Sequence, residues 1–189
     1  MSIVTARVAA VIALLYAARR YYRNWGTTKE ECRSWLPGDE LVRQPFTRTT
    51  EGVWIDAPTS EVWPSLVRVL HPDGDLEPGD VLRIAPANRM KWSRHSTLTV
   101  HQLTAGEELV LRGSPPGFPW DAVWSFHLEP RWEDRCRLLL RMRANLRHPG
   151  DVLKVELAGP VTALTMRAKL QAVKHTAETA QRTSLPGGT

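Results

Sequence analysis

Apolar and polar residues alternate along five stretches in the middle of the chain, and Gly, Pro or Asp clusters separate these stretches. Alternation with a period of two predicts β-strands that bury one face. The predicted strands cover residues 81–86, 96–103, 108–113, 122–130 and 136–146. In the last two strands the large apolar residues of one face are Trp124, Phe126, Leu128, Leu138, Leu140 and Met142. The pattern therefore predicts an antiparallel sheet with one apolar face.

The opposite face of the last predicted strand carries Arg137, Arg141 and Arg143, with Leu139 as the one apolar exception. His127 of the preceding strand falls on the same face. Charged residues at alternate positions are typical of a sheet face in contact with water. We therefore expect this second face to be mostly solvated.

Two shorter patterns precede these strands. Residues 49–56 alternate as a strand, and residues 60–70 continue with helical spacing. Further upstream, residues 24–46 mix Pro, Gly and charge without a sustained period, which predicts a linker. Within it, Thr28 and Glu31 have the spacing of a capping box and predict a short helix.

The chain ends in a long helical pattern over residues 151–182, followed by a tail over residues 183–189 that we expect to fray. We expect one face of this helix to pack on the sheet. The residues of that face are Val161, Leu164, Ala168, Ala172 and His175, which follow i, i+3, i+4 spacing. The order of strand, helix, strands and long helix predicts an α+β fold. In it, an antiparallel sheet curls around the terminal helix, and the domain covers residues 47–182.

The N-terminal segment, residues 1–23, is a candidate membrane anchor. Residues 3–18 are apolar except for Thr5 and Arg7 and would form a helix of about 24 Å, against the roughly 30 Å of a hydrocarbon core. Three arginines follow the run directly, at positions 19, 20 and 23. The positive-inside rule would then place the domain on the cytoplasmic side of the cell membrane. The alternative is a cytoplasmic protein whose first helix packs on protein.

Composition and charge narrow the class of protein. The chain has 189 residues, which suits one domain with appendages, and 24% of them are charged. The net charge is +5, but the Arg and Lys residues of the domain are interleaved with Asp and Glu and form no nucleic-acid-binding motif. We therefore expect no nucleic-acid partner.

No motif for metal, phosphate or triad chemistry occurs in the sequence. The six histidines show no HxxxH or HExxH spacing, and the two cysteines lie about a hundred residues apart. A G-x-S-x-G elbow and a phosphate-binding G-x-x-x-x-G-K-[ST] loop are both absent. These observations predict no metal, no cofactor and no catalytic residues of a known type.

Four segments carry a resemblance to a known family: TTEGVWIDAPTSEVWPSLVRV, LEPGDVLRIAP, AVWSFHLEP and RCRLLLRMRA. Together they resemble the START-like, SRPBCC superfamily, and specifically its bacterial polyketide-cyclase-like members. The resemblance implies a helix-grip fold, in which the curved sheet and the terminal helix enclose an apolar pocket. Members carry a longer insertion after the first helix of the domain, where this chain has only HPDGDLEPGD.

The predicted pocket combines the apolar sheet face with neighbouring helical residues. Its residues are Trp124, Phe126, Leu138, Leu140, Met142, Trp63, Leu164 and Ala168. Aromatic walls of this kind are typical of pockets for apolar compounds. We therefore predict that a membrane-tethered domain binds a hydrophobic small molecule or lipid.

Two alternative functions stay open at this point. An aromatase- or cyclase-like enzyme needs only a shaped cavity with one or two polar groups. A membrane-associated structural domain would have no ligand at all. A buried Arg, His or Glu in the cavity would favour the enzyme, and a filled cavity would favour the structural role.

Overall fold

A computed structural model describes residues 24–83, 97–116, 120–146 and 151–184, with five further positions between residues 5 and 13. Helices in these regions are α1 (Lys29–Arg33), α2 (Thr59–Leu70) and α3 (Asp151–Ser184), with a 3-10 turn at Asp39–Val42. Strands are β1 (Thr47–Ile55), β2 (Val81–Arg83), β3 (Thr97–Thr104), β4 (Glu108–Gly113), β5 (Asp121–Trp132) and β6 (Arg135–Asn145).

The six strands form one antiparallel sheet in the order β1-β6-β5-β4-β3-β2. Trp124 of β5 lies opposite Met142 of β6, and Phe126 lies opposite Leu140. The apolar residues of the two strands therefore share one face, as the alternation predicts. We call this face, which the helices α2 and α3 cover, the concave face.

The predicted α+β architecture is confirmed, with the sheet around one long C-terminal helix. Helix α3 continues through Pro160 to Ser184. Side chains on α3 bind backbone carbonyls on its neighbours: Lys169 Nζ donates to Val69 O of α2 at 3.3 Å, and Lys174 Nζ donates to Trp54 O of β1 at 2.7 Å.

The helix face chosen from the sequence is wrong. Leu164 is 55% exposed, and Ala168, Ala172 and His175 are also exposed. The buried positions of α3 follow a parallel course, at Ala163, Met166, Leu170, Val173 and Ala177. That course carries the larger apolar side chains, which fill more of the space over the sheet and so bury more apolar surface.

The short helix α1 begins as predicted. Thr28 Oγ1 accepts a hydrogen bond from Glu31 N at 3.2 Å, and Glu31 Oε2 accepts one from Thr28 N at 2.7 Å. The capping box is therefore confirmed, because both reciprocal bonds of the motif are present.

The second face of the sheet is buried, contrary to the sequence prediction. Residues 24–46, which we call the leader, lie across this convex face. Arg137 and Arg143 are largely buried, and Arg141 is 0% exposed. The prediction failed because alternation shows which face is apolar, but not whether another segment covers the polar one. The leader is therefore part of the folded domain and does not serve as a free linker.

The buried arginines are paired with leader carboxylates and carbonyls. Asp39 bridges two of them, with Oδ2 at 2.8 Å from Arg141 Nη1 and Oδ1 at 2.8 Å from Arg143 Nη1. Arg141 also donates to Ser34 O at 2.6 Å and to Glu31 O at 2.6 Å. Charged groups can be buried at tolerable cost only when they are paired and hydrogen-bonded in this way.

Most of the predicted membrane anchor lies outside the described residues. Among the residues that the structure describes, no helix is both long and apolar enough to cross a bilayer.

Replacing Asp39 by Asn should strongly destabilise the protein. The change keeps the shape of the side chain but leaves two buried guanidinium groups without a counter-charge, so we expect the free energy of unfolding to fall by about 3–5 kcal/mol. Urea unfolding followed by circular dichroism measures this loss. Asp75→Asn, at an exposed loop position, is the control and should stay within about 0.5 kcal/mol of wild type. A loss below about 1 kcal/mol for Asp39→Asn would show that backbone carbonyls alone hold the arginines.

Candidate functional site

The concave face contains the five sheet residues predicted for the pocket. Trp124, Phe126, Leu138 and Leu140 belong to one buried apolar cluster, and Met142 is half-buried against it. The cluster continues into α2 and α3, so sheet and helices share a single apolar interior. We call the space between the concave face and α3 the interior.

The three predicted helical residues are placed differently. Trp63 of α2 is half-buried and packs against the apolar cluster. Leu164 and Ala168 lie on the exposed side of α3, outside the buried course. The structure therefore brings Trp63 to the interior with the sheet residues, and it places Leu164 and Ala168 outside it.

Sequence reasoning missed a carboxyl group on the concave face. Glu51 of β1 lies opposite Leu140, and it shares its face with Val53 and Ile55, which belong to the apolar cluster. Its exposed fraction is 0%, and neither carboxylate oxygen accepts a hydrogen bond from the described residues. The signal was present in TTEGVWI, where period-two alternation puts Glu51 on the same face as Val53 and Ile55.

Arg167 of α3 is the charged neighbour of Glu51. Its Nε atom lies 3.6 Å from Glu51 Oε1, beyond ordinary hydrogen-bonding distance. The guanidinium group of Arg167 also lies over the ring of Trp25, with Cζ 5.1 Å from the ring centroid. Cation–π contact with a leader residue therefore helps to hold Arg167 beside the carboxyl group.

The leader also closes the edge of the sheet at this position. Gly52 N donates to Trp25 O at 3.0 Å, and Asn24 Oδ1 accepts from Thr50 N at 3.1 Å. Gly26 has a φ of +70°, and a Cβ atom there would lie 2.3 Å from Gly52 O. Only glycine fits this close approach, which brings Trp25 to the interior side of β1.

Burial controls the protonation of Glu51. Loss of hydration raises the pKa of Glu51 to about 7, and the positive charge of Arg167 opposes this rise. Near neutral pH both the acid and the carboxylate form are therefore populated. Such a group can donate or accept a hydrogen bond, and it can transfer a proton at little energetic cost.

His127 lies on the convex face and has a different environment. It is buried, and loss of hydration together with the charge of Arg141 lowers its pKa to about 4. It borders an open groove of about 580 Å³ between Leu36–Pro37 of the leader, the turn over residues 105–108 and residues 127–130. None of the predicted pocket residues lines this groove.

Within the described part of the chain, no group of three His, Cys, Asp or Glu side chains is arranged to hold a metal ion.

Solved structures with the same architecture exist at low sequence identity. One is the Zhui aromatase/cyclase from Streptomyces sp. R1128, with a TM-score of 0.55, 20% identity, and coverage of 76% of this chain and 99% of that chain. Another is a norcoclaurine synthase point mutant from Thalictrum flavum in complex with a transition-state analogue, with a TM-score of 0.53, 13% identity, and coverage of 71% and 96%. No protein-family model matches the chain, and no curated protein sequence matches it either. At these identities the likeness establishes the fold alone, and the START-like helix-grip fold is confirmed.

Replacing Glu51 by Gln should change how stability depends on pH. Because folding raises the pKa of Glu51 from about 4.5 to about 7, the folded chain binds this proton more tightly than the unfolded chain. The associated stability is complete below pH 4.5 and is lost as the pH rises through 7. We therefore expect Glu51→Gln to gain stability relative to wild type between pH 5 and pH 8, by up to about 3 kcal/mol at about 1.4 kcal/mol per pKa unit.

Urea unfolding of both proteins at several pH values measures this difference. Taking the difference between variant and wild type removes the contribution of His127, which changes with pH in the opposite direction. Glu77→Gln, at an exposed position, is the control and should show no such trend. A constant difference between Glu51→Gln and wild type across this range would contradict a raised pKa.

Proposed function

We propose that this chain binds a hydrophobic small molecule or lipid in the interior, between the concave face of the sheet and α3. The observation that carries the proposal is that side chains of the apolar cluster differ in their exposure to solvent. Leu138 and Leu140 are completely buried, whereas Trp124 is 7% exposed and its partner across the sheet, Met142, is only half-buried. The apolar cluster is therefore completely covered at Leu138 and Leu140 and less covered where Trp124 and Met142 lie.

Partial exposure of large apolar side chains to solvent favours a role in ligand binding. A core that serves stability alone is packed to uniform density, because each gap forfeits contacts. Met142, the partner of Trp124 across the sheet, is half-buried, and Trp63 and Leu146 are also half-buried against the same apolar cluster. These side chains offer a contact surface of the aromatic and flexible kind that apolar ligands bind.

The fold supports the same proposal. One protein with this fold is named an aromatase/cyclase, and another is a norcoclaurine synthase point mutant solved in complex with a transition-state analogue. Because one fold hosts many activities, the proposal for this chain depends on its own residues and not on these names.

A second candidate function is catalysis of the aromatase or cyclase type. Glu51 favours it, because a buried carboxyl group with a pKa of about 7 is suited to general acid–base chemistry at neutral pH. The two functions differ in the fate of the compound. A binding protein releases it unchanged, whereas an enzyme converts it.

Extraction of the purified full-length chain with organic solvent tests the binding proposal directly. Mass spectrometry should find a stoichiometric hydrophobic compound, and incubation with that compound should show whether it is converted. A protein that co-purifies with nothing and binds no apolar fluorescent probe would favour a structural role.

Replacing Trp124 should remove most of the binding. Trp124→Glu puts a charge on the apolar face and should abolish binding, and the milder Trp124→Leu should weaken it at least about tenfold, or about 1.4 kcal/mol. Titration with the extracted compound or an apolar fluorescent probe measures the affinity, and thermal unfolding verifies the fold. Trp35→Leu is the matched control because Trp35 is 67% exposed. Unchanged affinity in a folded Trp124→Leu variant would exclude Trp124 from the site.

Membrane tethering through residues 1–23 is a separate proposal, supported by the apolar run at residues 3–18 and the arginines that follow it. Fractionation of cells expressing the full-length chain should place it in the membrane pellet, and removal of residues 1–23 should release it. Recovery of the full-length chain in the supernatant would refute the tether without affecting the binding proposal.

A further inference from the structure

We propose that Glu51 is the polar recognition point of the interior, and that the ligand is a neutral hydrophobic compound whose hydroxyl group hydrogen-bonds to the Glu51 carboxyl group. The hydroxyl is that of an alcohol, a phenol or an enol. This inference rests on the proposed function, since it concerns the compound bound in the interior.

Glu51 differs from the buried arginines of the convex face in its hydrogen bonding. On the convex face Arg137, Arg141 and Arg143 each contact a carboxylate and at least one leader carbonyl. Glu51 is equally buried and has Arg167 as its ion-pair partner, but at 3.6 Å, and neither of its oxygens accepts a hydrogen bond from the described residues. An unsatisfied buried polar group costs about 1–3 kcal/mol, and more when it is charged. A ligand that supplies the missing hydrogen bond recovers this cost on binding.

The register of the sheet places Glu51 within reach of the less covered residues Trp124 and Met142. Glu51 lies opposite Leu140, and Leu140 lies opposite Phe126, so these residues form one row across three strands. Met142 lies two residues after Leu140, and Trp124 lies two residues before Phe126. These two residues form the neighbouring row. Adjacent rows on one face are separated by roughly 7 Å. A compound packed on Trp124 and Met142 therefore needs to extend by only one row to reach the carboxyl group.

The charges around Glu51 select a neutral group. A cationic amine at this position would lie near the guanidinium of Arg167, whose Nε atom is 3.6 Å from Glu51 Oε1. An anionic carboxylate would be attracted by Arg167 but repelled by ionised Glu51, so the two charges largely cancel for either ion, and either ion would lose its hydration on entering an apolar interior. A hydroxyl group avoids both costs.

A hydroxyl group also fits both protonation states of the site. It donates a hydrogen bond to the carboxylate form and accepts one from the acid form. Because burial raises the pKa of Glu51 to about 7, both forms occur near neutral pH. Carbonyl or ether oxygens, which only accept, would be matched by the acid form alone.

Two probes that differ by one group test this inference on the full-length chain. These are 2-naphthol and 2-methylnaphthalene, in which a methyl group replaces the hydroxyl at nearly constant shape. Calorimetric or fluorescence titration at pH 7 should give wild type a preference of about tenfold or more for 2-naphthol. Glu51→Leu should abolish the preference and bind 2-methylnaphthalene at least as tightly, because an apolar side chain replaces the unsatisfied acid. Glu51→Gln, whose amide accepts and donates hydrogen bonds, should retain part of the preference.

The outcomes separate this inference from the proposed function. If wild type binds neither naphthalene nor any other apolar probe, the proposed function fails. If wild type binds both but Glu51→Leu keeps the preference for 2-naphthol, binding stands and the role of Glu51 is overturned. Binding that favours 2-(aminomethyl)naphthalene or 2-naphthoic acid over 2-naphthol would overturn the neutral class.

Infrared difference spectroscopy on wild type gives a readout that does not depend on how well a variant folds. The carboxyl band of a buried acid responds to hydrogen bonding, so 2-naphthol should shift it and 2-methylnaphthalene should leave it in place. Loss of the band in Glu51→Gln assigns it to this residue. The absence of any shift with bound 2-naphthol would refute the contact.

Discussion

The contact of Asp39 with Arg141 and Arg143 is the interaction on which the arrangement of this protein depends. One carboxylate at the start of a short 3-10 turn neutralises two guanidinium groups, each 2.8 Å away. Neither arginine could remain under the leader without it, because a buried unpaired charge costs several kcal/mol. The same pairing fixes the leader on the sheet, and so it decides that both faces of the sheet are buried.

The two faces of the sheet are covered by different kinds of chemistry. On the convex face, polar groups of the leader satisfy buried arginines, and Arg137 binds both Glu31 and Gly26 O. On the concave face, apolar side chains of the helices cover apolar strands, and Glu51 is the exception. The leader joins the two sides at the edge of β1, where Gly26 passes close to Gly52. A segment bound on the convex face therefore also supports Arg167 in the interior through Trp25.

The sequence predicts much of the fold because periodic patterns act locally. Alternation identifies the strands and their apolar face, and the Thr28 and Glu31 spacing identifies the start of α1, since both depend on residues close in the chain. The periodic pattern of the sequence does not identify the buried face of α3. Two apolar courses run along that helix, and only packing against the sheet selects the one through Met166 and Leu170.

Long-range pairing explains the remaining differences. Arg141 has the pattern of a solvated strand position, and its burial depends on Asp39, about a hundred residues earlier in the chain. Glu51 could have been found from alternation alone, since it falls on the apolar face of its strand. The contact between Glu51 and Arg167 could not have been predicted in this way. Arg167 belongs to α3, at the far end of the chain, and only the folded structure brings it near Glu51.

Stability and binding place opposite demands on a buried carboxyl group. Removal of Asp39 would leave two buried guanidinium groups without a counter-charge, so folding alone accounts for this residue. Glu51 has one charged neighbour, Arg167, whose Nε atom stays 3.6 Å from Glu51 Oε1. An apolar side chain at its position would pack against Leu140 and its neighbours without the loss of hydration that raises the pKa of this group. Residues that cost stability in this way are commonly found where a protein binds or reacts with another molecule. The contrast between these two acids is the basis on which we propose a folding role for Asp39 and a ligand-binding role for Glu51.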